Sequence, residues 1–227
     1  VEEKPTGEIS AGAGVGSNGG SLAINIKENN WLGQGKQVGF DVELDAESLR
    51  GTLSYSDPNY NFLGNSIDYS ISSTKNDKPD QGYKNTIQAV GISTSFEQYR
   101  DTYVNFGLLA SYDDLSTVEG ASSSIAKQAG TFSELAFNYG VSLDKRDRVF
   151  NPTDGYKTSF YQTLPVVSDS KFIGNQFQTS FYNRLSEDIV LGNKLFFSAV
   201  NGLDSEDVRL SKRTKLSSRR LKGFEKN

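Results

Sequence analysis

The densest group of ionisable side chains in the sequence consists of Asp144, Arg146 and Asp147. The chain contains no histidine and no cysteine, so it lacks the usual general base, the imidazole metal ligand and all thiolate chemistry. Opposite charges at such short spacing fit ion pairs that brace a turn. We therefore predict that the protein is not an enzyme and has no catalytic residue, metal site or cofactor.

A second chemically distinctive stretch lies near the C-terminal end, where basic residues dominate from Arg209 to Lys226. It contains a short basic and aromatic motif formed by Arg220, Leu221, Lys222, Gly223 and Phe224. The glycine allows the aromatic ring that follows it to turn inward. One interpretation of this motif is a solvated basic loop, and the other is a loop tip that enters an enclosed space.

The charge of the whole chain excludes one class of partner. The sequence carries 24 basic and 28 acidic residues, for a net charge of -4. A protein that binds nucleic acid through its phosphates needs a basic face. We therefore predict that the chain does not bind nucleic acid.

Alternation of apolar and polar residues extends through almost the whole chain, and this period of two is typical of β-strands with one apolar face. In one such stretch Val38, Phe40, Val42 and Leu44 alternate with polar residues or glycine. The alternation predicts about eleven strands, over residues 7–16, 21–28, 37–45, 50–56, 66–73, 85–96, 103–112, 133–144, 156–164, 173–185 and 194–202. Two long polar connections are predicted, over 113–131 and from 203 onward.

The first predicted strand has the weakest pattern. Its central residues are Glu8, Ile9, Ser10, Ala11, Gly12, Ala13, Gly14 and Val15. One face is thinly apolar and the other is nearly bare, and glycine inside a strand weakens pairing. This stretch is therefore either a close-packed corner or a deliberately weak edge.

Two architectures fit the alternation: a soluble β-sandwich and a membrane β-barrel. The polar faces carry few charges, the strands follow one another as hairpins, and the apolar faces are modest in bulk, which together favour the barrel. We predict an all-β fold, an antiparallel transmembrane β-barrel meander. Because a sheet in lipid cannot leave an open edge, and bacterial barrels have an even number of strands, we expect further strands to follow those in this chain.

Several motifs, in order along the chain, carry a resemblance to a known family. They are residues 1–7, the turn 30–35, the turn 57–60, the pair of segments 143–147 and 150–156, and residues 221–224. In these motifs the chain resembles the barrel of the BamA family, the outer-membrane protein assembly factors of the bacterial surface antigen superfamily. Residues 221–224 are similar to the Val-Arg-Gly-Phe tip of the family's sixth external loop. Lys222 stands where the family has arginine, and lysine cannot make the two-pronged contact of a guanidinium.

The resemblance implies an organisation of the chain. Residues 1–6 would end the linker from the periplasmic POTRA domains. Residues 7–202 would form an incomplete barrel, with about eleven of the roughly sixteen strands of the complete one. Residues 203–227 would begin a basic external loop that folds into the lumen. The acidic partners of the loop motif would lie on strands that follow this chain.

The resemblance also implies a function. The protein would fold and insert β-barrel proteins into the bacterial outer membrane through a lateral seam at residues 8–15. Its partners would be outer-membrane lipid, unfolded β-barrel substrates and accessory assembly lipoproteins. The alternatives are a related transporter, similar to TamA or to the two-partner secretion proteins, and a passive outer-membrane porin.

Overall fold

The computed structural model describes residues 5–16, 19–118, 121–203 and 207–214 of the chain. Within them, eleven antiparallel strands form one sheet in which every strand pairs with its neighbours in sequence. This confirms the predicted all-β meander. None of the helices in these described ranges is both long and apolar enough to cross a bilayer.

The strands are named β1 to β11 in chain order. Their bounds are β1 Gly7–Gly16, β2 Gly19–Trp31, β3 Lys36–Asp45, β4 Ser48–Asp57, β5 Ser66–Lys78, β6 Tyr83–Tyr99, β7 Thr102–Thr117, β8 Gly130–Asp144, β9 Gly155–Ser168, β10 Phe172–Arg184 and β11 Val190–Gly202. A short helix, α1 (Ser123–Ala126), follows β7, and single 3₁₀ turns occupy Pro79–Gln81 and Leu210–Lys212.

Most strands are longer than their sequence pattern predicted. The prediction for the seventh strand stopped at residue 112, whereas β7 continues through Asp113 and Asp114 to Thr117. These two carboxylates interrupt the apolar pattern, which therefore predicts a long connection here. The ladder continues because a polar side chain does not prevent backbone pairing with the neighbouring strands.

The strand register brings the apolar positions into a continuous row across β1 to β9. Its members, each opposite the next, are Ile9, Ile26, Phe40, Leu53, Ile71, Val90, Ala110, Leu135 and Val167. Many of these side chains are exposed, for example Ile71 and Val90, both at 56%. We call this side of the sheet the apolar face and the opposite side the polar face.

The apolar face does not pack against a second layer within the described residues. The buried hydrophobic residues among them are few, namely Tyr83, Leu115, Ala136 and Phe172. A soluble β-sandwich buries the inner faces of two sheets against each other. A single sheet with an exposed apolar face therefore contradicts the sandwich alternative.

The two ends of the sheet carry different connections. The turn end, as we call it, carries residues 32–35, 58–65, 100–101, 145–154 and 185–189. The loop end carries residues 46–47, 79–82, 118–129 and 169–171, together with the passage from β1 to β2. In the turn after β2, Gly33 and Gly35 adopt φ of 72° and 69°, a backbone conformation that favours glycine.

One irregularity explains a proline within a strand. Pro165 lies in β9, where a register shift against Leu135 and Ala136 interrupts the pairing with β8. Proline has no N–H to donate to a ladder and is tolerated at such bulges.

Candidate functional site

β1 is one edge of the sheet. It pairs with β2 along its whole length, from Gly7 opposite Glu28 to Gly16 opposite Gly19. Among the described residues its other side has no partner strand, and the second edge of the sheet is β11. Its outward apolar side chains are small or strongly exposed, with Ile9 at 79% and Val15 at 93%. The sequence-predicted residues 8–15 therefore all lie on an exposed edge strand.

The glycines of β1 leave space on its polar face. A Cβ atom added at Gly12 would have no heavy atom within 4 Å, whereas one added at Gly14 would lie 3.2 Å from Ser21 Oγ. Close packing therefore does not require glycine at position 12. Of the two interpretations offered by the sequence, the weak edge fits this geometry better than the close-packed corner.

The N-terminal end of β1 is held by side chains of β2. Asn29 donates from its backbone N–H and from Nδ2 to the carbonyl oxygen of Thr6, both at 3.1 Å. Asn29 Nδ2 also lies 3.3 Å from Glu8 Oε1. These bonds fix the turn end of β1, so detachment of this strand would begin more readily at its glycine-containing part.

A second candidate site lies on the polar face and was missed by the sequence reasoning. Asp113 on β7 and Glu134 on β8 face Arg209 and Lys212, which belong to the segment 207–214 that follows β11. Lys212 Nζ lies 2.6 Å from Glu134 Oε2, and Arg209 lies 3.9 Å from Asp113 and 4.0 Å from Glu134. We call these four residues the polar-face cluster.

Three of the four residues of the polar-face cluster are buried, and Lys212 is partly exposed. Asp113 is exposed by 1%, and Glu134 and Arg209 by 5% each. Charges removed from water in this way are tolerated only when they are paired. Each carboxylate of the cluster has a cation within 4 Å, Arg209 at 3.9 Å from Asp113 and Lys212 at 2.6 Å from Glu134.

Hydrogen bonds extend the polar-face cluster across the wall. Asn76 on β5 donates through Nδ2 to Asn85 Oδ1, and Asn85 on β6 donates through Nδ2 to Asp113 Oδ1, both at 2.9 Å. The second bond fixes one oxygen of Asp113, so that the other oxygen, Oδ2, faces Arg209.

Aromatic rings and backbone contacts also hold the segment 207–214. The Arg209 guanidinium carbon lies 4.2 Å from the centre of the Phe132 ring, and Lys212 Nζ lies 5.2 Å from that of Phe172. The backbone N–H of Leu210 donates to Gln128 Oε1 at 3.1 Å. Cations over ring faces are stabilised by the ring quadrupole.

The electrostatics of Arg209 reflect its position. Burial lowers the pKa of the Arg209 guanidinium, while the nearby charges of Asp113 and Glu134 act in the opposite direction. Arginine has so high a starting pKa that it remains protonated in proteins. The group therefore acts as a fixed cation.

The remaining sequence predictions have mixed outcomes. Arg220, Leu221, Lys222, Gly223 and Phe224 lie outside the described residues, so their predicted role as a lumen motif stays a prediction. The alternation along β7 and β8 could have identified half of the polar-face cluster, because Asp113 and Glu134 are charged residues at positions whose side chains point to the polar face. It could not identify Arg209 and Lys212 as their partners, since many basic residues lie nearby.

The charged residues of the turn 145–154 brace that turn. Arg146 donates from Nε and Nη2 to the two oxygens of Asp144, both at 2.7 Å. Asp147 accepts hydrogen bonds from Thr153 and Asp154. No group of three or more acidic side chains within the described ranges is arranged to hold a metal ion.

Comparison with known proteins gives a family, relatives and a fold. A family model described as the Omp85 superfamily domain matches residues 30–227. A relative named outer membrane protein assembly factor BamA from Neorickettsia risticii is 27% identical over 99% of this chain. The protein of the same name from Neisseria meningitidis serogroup B is 26% identical over 70% of the chain. The chain spans only 31% and 22% of the lengths of these two proteins.

A solved structure shows the same fold. The structure of BamA from Haemophilus ducreyi lacking POTRA domains 1–3 matches 94% of this chain and 44% of its own length, with a TM-score of 0.83 and 21% identity. This match confirms the sheet as part of such a barrel. The apolar face is accordingly the outer face of the wall and the polar face lines the lumen.

Proposed function

Because the chain belongs to the Omp85 superfamily, we propose that it forms part of the wall of an outer-membrane protein assembly factor, which folds and inserts β-barrel proteins into the bacterial outer membrane. The names of the two relatives support this activity over that of a transporter or a passive porin. The exposed apolar face would contact outer-membrane lipid, as the wall of a membrane barrel does.

The site of insertion in this proposal is β1, acting as a lateral seam. The observation that carries the proposal is that the centre of β1, the first strand of the wall, consists of alanine and glycine, and that Gly12 and Gly14 weaken its pairing with any neighbouring strand. An edge presents unpaired backbone N–H and C=O groups in register, and an incoming strand can pair with them by β-augmentation. Recognition through the backbone accepts many substrate sequences, which suits a protein that inserts different barrels.

The two edges of the described sheet differ in a way that supports this assignment. β11 carries bulky side chains at its centre, Leu195, Phe196 and Phe197, whereas the centre of β1 consists of alanine and glycine. Larger apolar side chains strengthen cross-strand pairs, and glycine weakens them. β1 is therefore the edge that a substrate strand would displace or extend with the smaller loss of pairing energy.

The partners follow from the same proposal. Unfolded β-barrel proteins would be the substrates, since only a chain that forms strands can add to the edge. Accessory assembly lipoproteins are further proposed partners. The net charge of -4 argues against nucleic acid as a further partner.

Site-specific photo-cross-linking tests the seam. A photoactivatable amino acid would replace Ile9 or Ala11, on the apolar face of β1, in the full-length protein in cells that are synthesising outer-membrane proteins. We expect adducts with newly made β-barrel proteins at both positions. The matched control is Leu108 on the apolar face of β7, which is also exposed, at 43%, but lies within the sheet.

Equal yields at Leu108 and at the β1 positions would contradict the seam. Depletion of the protein provides the second arm, in which we expect the amount of folded outer-membrane barrels to fall. Unchanged barrel levels after depletion, together with a fixed ion conductance of the purified protein, would indicate the porin alternative instead.

A further inference from the structure

We infer that Arg209 and Lys212 are positioning residues that hold the segment 207–214 in one register on the inner wall at β7 and β8. This inference goes beyond the proposed assembly function and does not depend on opening of β1. It concerns the polar-face cluster of Asp113, Glu134, Arg209 and Lys212.

The path of the chain places the cluster at a change of direction. At the loop end, the backbone N–H of Leu203 donates to the carbonyl oxygen of Lys171 at 2.9 Å. Thr214 lies farther from that end, with its Oγ1 3.4 Å from Ser198 Oγ, within β11. Between these two points Arg209 and Lys212 contact β7 and β8. The described part of the segment therefore contacts β7 and β8 on the polar face and lies against β11 again at Ser198, four residues before the end of that strand.

The charges suit a role in setting position more than a role in stabilising the fold. Desolvation offsets much of the attraction within a buried ion pair, while removal of one partner leaves a buried charge without compensation. The two Arg209 distances, 3.9 and 4.0 Å, are longer than hydrogen bonds. Lys212 provides the short contact at 2.6 Å, so the two cations together fix the segment at Glu134.

The surroundings of the cluster restrict other positions for the segment. Asn85 holds the carboxylate of Asp113, and the rings of Phe132 and Phe172 lie against the two cations. A shift of the segment along the wall would separate both cations from their carboxylates and from these rings at once. Such coupled contacts favour a single register.

The cluster is also attached to a part of the sheet that does not include β1. Its wall residues and their hydrogen-bond partners lie on β5 to β8, and Phe172 lies on β10. Opening of β1 from β2 would leave these contacts unchanged. The segment would then remain docked during the proposed insertion cycle.

A disulfide cross-link reports the position of the segment directly. The sequence contains no cysteine, so Ser198→Cys with Thr214→Cys introduces the one pair of cysteines in this chain. The hydroxyl oxygens of these residues are 3.4 Å apart, which is close enough for a disulfide. In the full-length protein we expect efficient cross-linking, and we expect Arg209→Gln or Lys212→Gln to lower the cross-linked to free ratio about tenfold or more, because each leaves a buried carboxylate without its cation.

The matched control is Arg100→Gln, which removes an arginine whose side chain is 88% exposed in the turn between β6 and β7. We expect it to leave the cross-link unchanged. The exchange Lys212→Glu with Glu134→Lys keeps the number of charges in the cluster and should restore the cross-link that either single change weakens.

All variants are compared on protein that shows the heat-dependent electrophoretic shift of a folded barrel, so that a folding defect in Arg209→Gln is separated from displacement of the segment. Lys212→Gln provides a second test of the same inference, because the Lys212 side chain is less buried than that of Arg209 and its replacement disturbs folding less. An unchanged cross-link in both glutamine variants would overturn the inference, and so would failure of the charge exchange to restore it. Neither result would bear on photo-cross-linking at β1, which tests the proposed assembly function separately.

Discussion

The carboxylate of Asp147 organises the turn between β8 and β9. It accepts hydrogen bonds from the Thr153 backbone N–H at 2.9 Å, from Thr153 Oγ1 at 2.7 Å and from the Asp154 N–H at 3.2 Å. These bonds, the Thr153 hydroxyl first, hold the pKa of Asp147 well below its ordinary value of 3.8. A carboxylate with several such donors favours its charged form.

We predict that Asp147→Asn lowers the Tm of the folded protein slightly and removes part of its acid sensitivity. Because the folded pKa is depressed, the stabilising contribution is present above pH 3.8 and is lost as the pH falls through the lower folded value. Thermal unfolding at neutral and acidic pH measures both effects. Asp154→Asn removes a charge from the same turn without removing these three hydrogen bonds, and an equal loss of Tm in that variant would contradict the assignment.

A glycine on the polar face of β8 gives a second prediction at the scale of single residues. Gly140 lies opposite Tyr161 of β9, and a Cβ atom at Gly140 would collide with the Tyr161 ring and with Asn105 Oδ1. An aromatic ring that covers a glycine in this way supports the pairing of the two strands.

We predict that Gly140→Ala destabilises the barrel by about 1–3 kcal/mol through overpacking. Gly51→Ala on β4 is the control, because a Cβ there meets no heavy atom within 4 Å. Urea-induced unfolding in lipid vesicles measures both changes. Equal stability of the two variants would contradict the prediction, because it would mean that the Tyr161 ring moves aside without lowering the free energy of unfolding.

At the scale of elements, β1 and the interior strands should differ in stability. Among the described residues β1 pairs only with β2 and contains glycines, whereas β8 pairs with both β7 and β9. Strands with few contacts open with lower free energy than strands in the centre of a sheet. The proposed seam requires this difference.

We predict that β1 exchanges its amide hydrogens fastest of the described strands in the full-length protein, and that Gly12→Val slows this exchange and the rate of barrel assembly together. Valine adds strand propensity where space is free on the polar face. Hydrogen–deuterium exchange and an assembly assay provide the two measurements. Gly51→Val on β4 serves as the control, and protection of β1 equal to that of β8 would remove the argument for a seam.

At the scale of the whole molecule, the apolar row across β1 to β9 defines the side of the wall that faces lipid. Ile71 belongs to this row, lies near the middle of β5 (Ser66–Lys78) and is 56% exposed, while its neighbour Ser72 points to the polar face. A charge on the lipid side of a barrel is costly near the bilayer midplane and tolerated in the lumen.

We predict that Ile71→Lys destabilises the folded protein by about 2–4 kcal/mol in lipid vesicles. Ser72→Lys should cost much less, since the ammonium group would reach lumen water. Folding titrations of the full-length protein measure the difference. Equal effects of the two changes would mean that the apolar face does not contact lipid.

The local pattern of residues was sufficient for much of this molecule. Alternation with period two identified the strands and their faces, and the first strand was assigned with the bounds that the structure shows, Gly7–Gly16. The absence of histidine and cysteine limited the available chemistry. The loop-end parts of β7 could not be assigned because carboxylates such as Asp113 hide the alternation in sequence while the backbone ladder continues in space.

Only the tertiary structure showed which charges meet. Alternation is a local property, since each residue's face follows from that of its neighbour along the strand. The pairing of Arg209 and Lys212 with Asp113 and Glu134 depends on where a segment far away in sequence returns to the wall. Any of several basic residues near the C-terminal end could have satisfied the same carboxylates, so burial and distance, which arise from the folded sheet, decided which of them did.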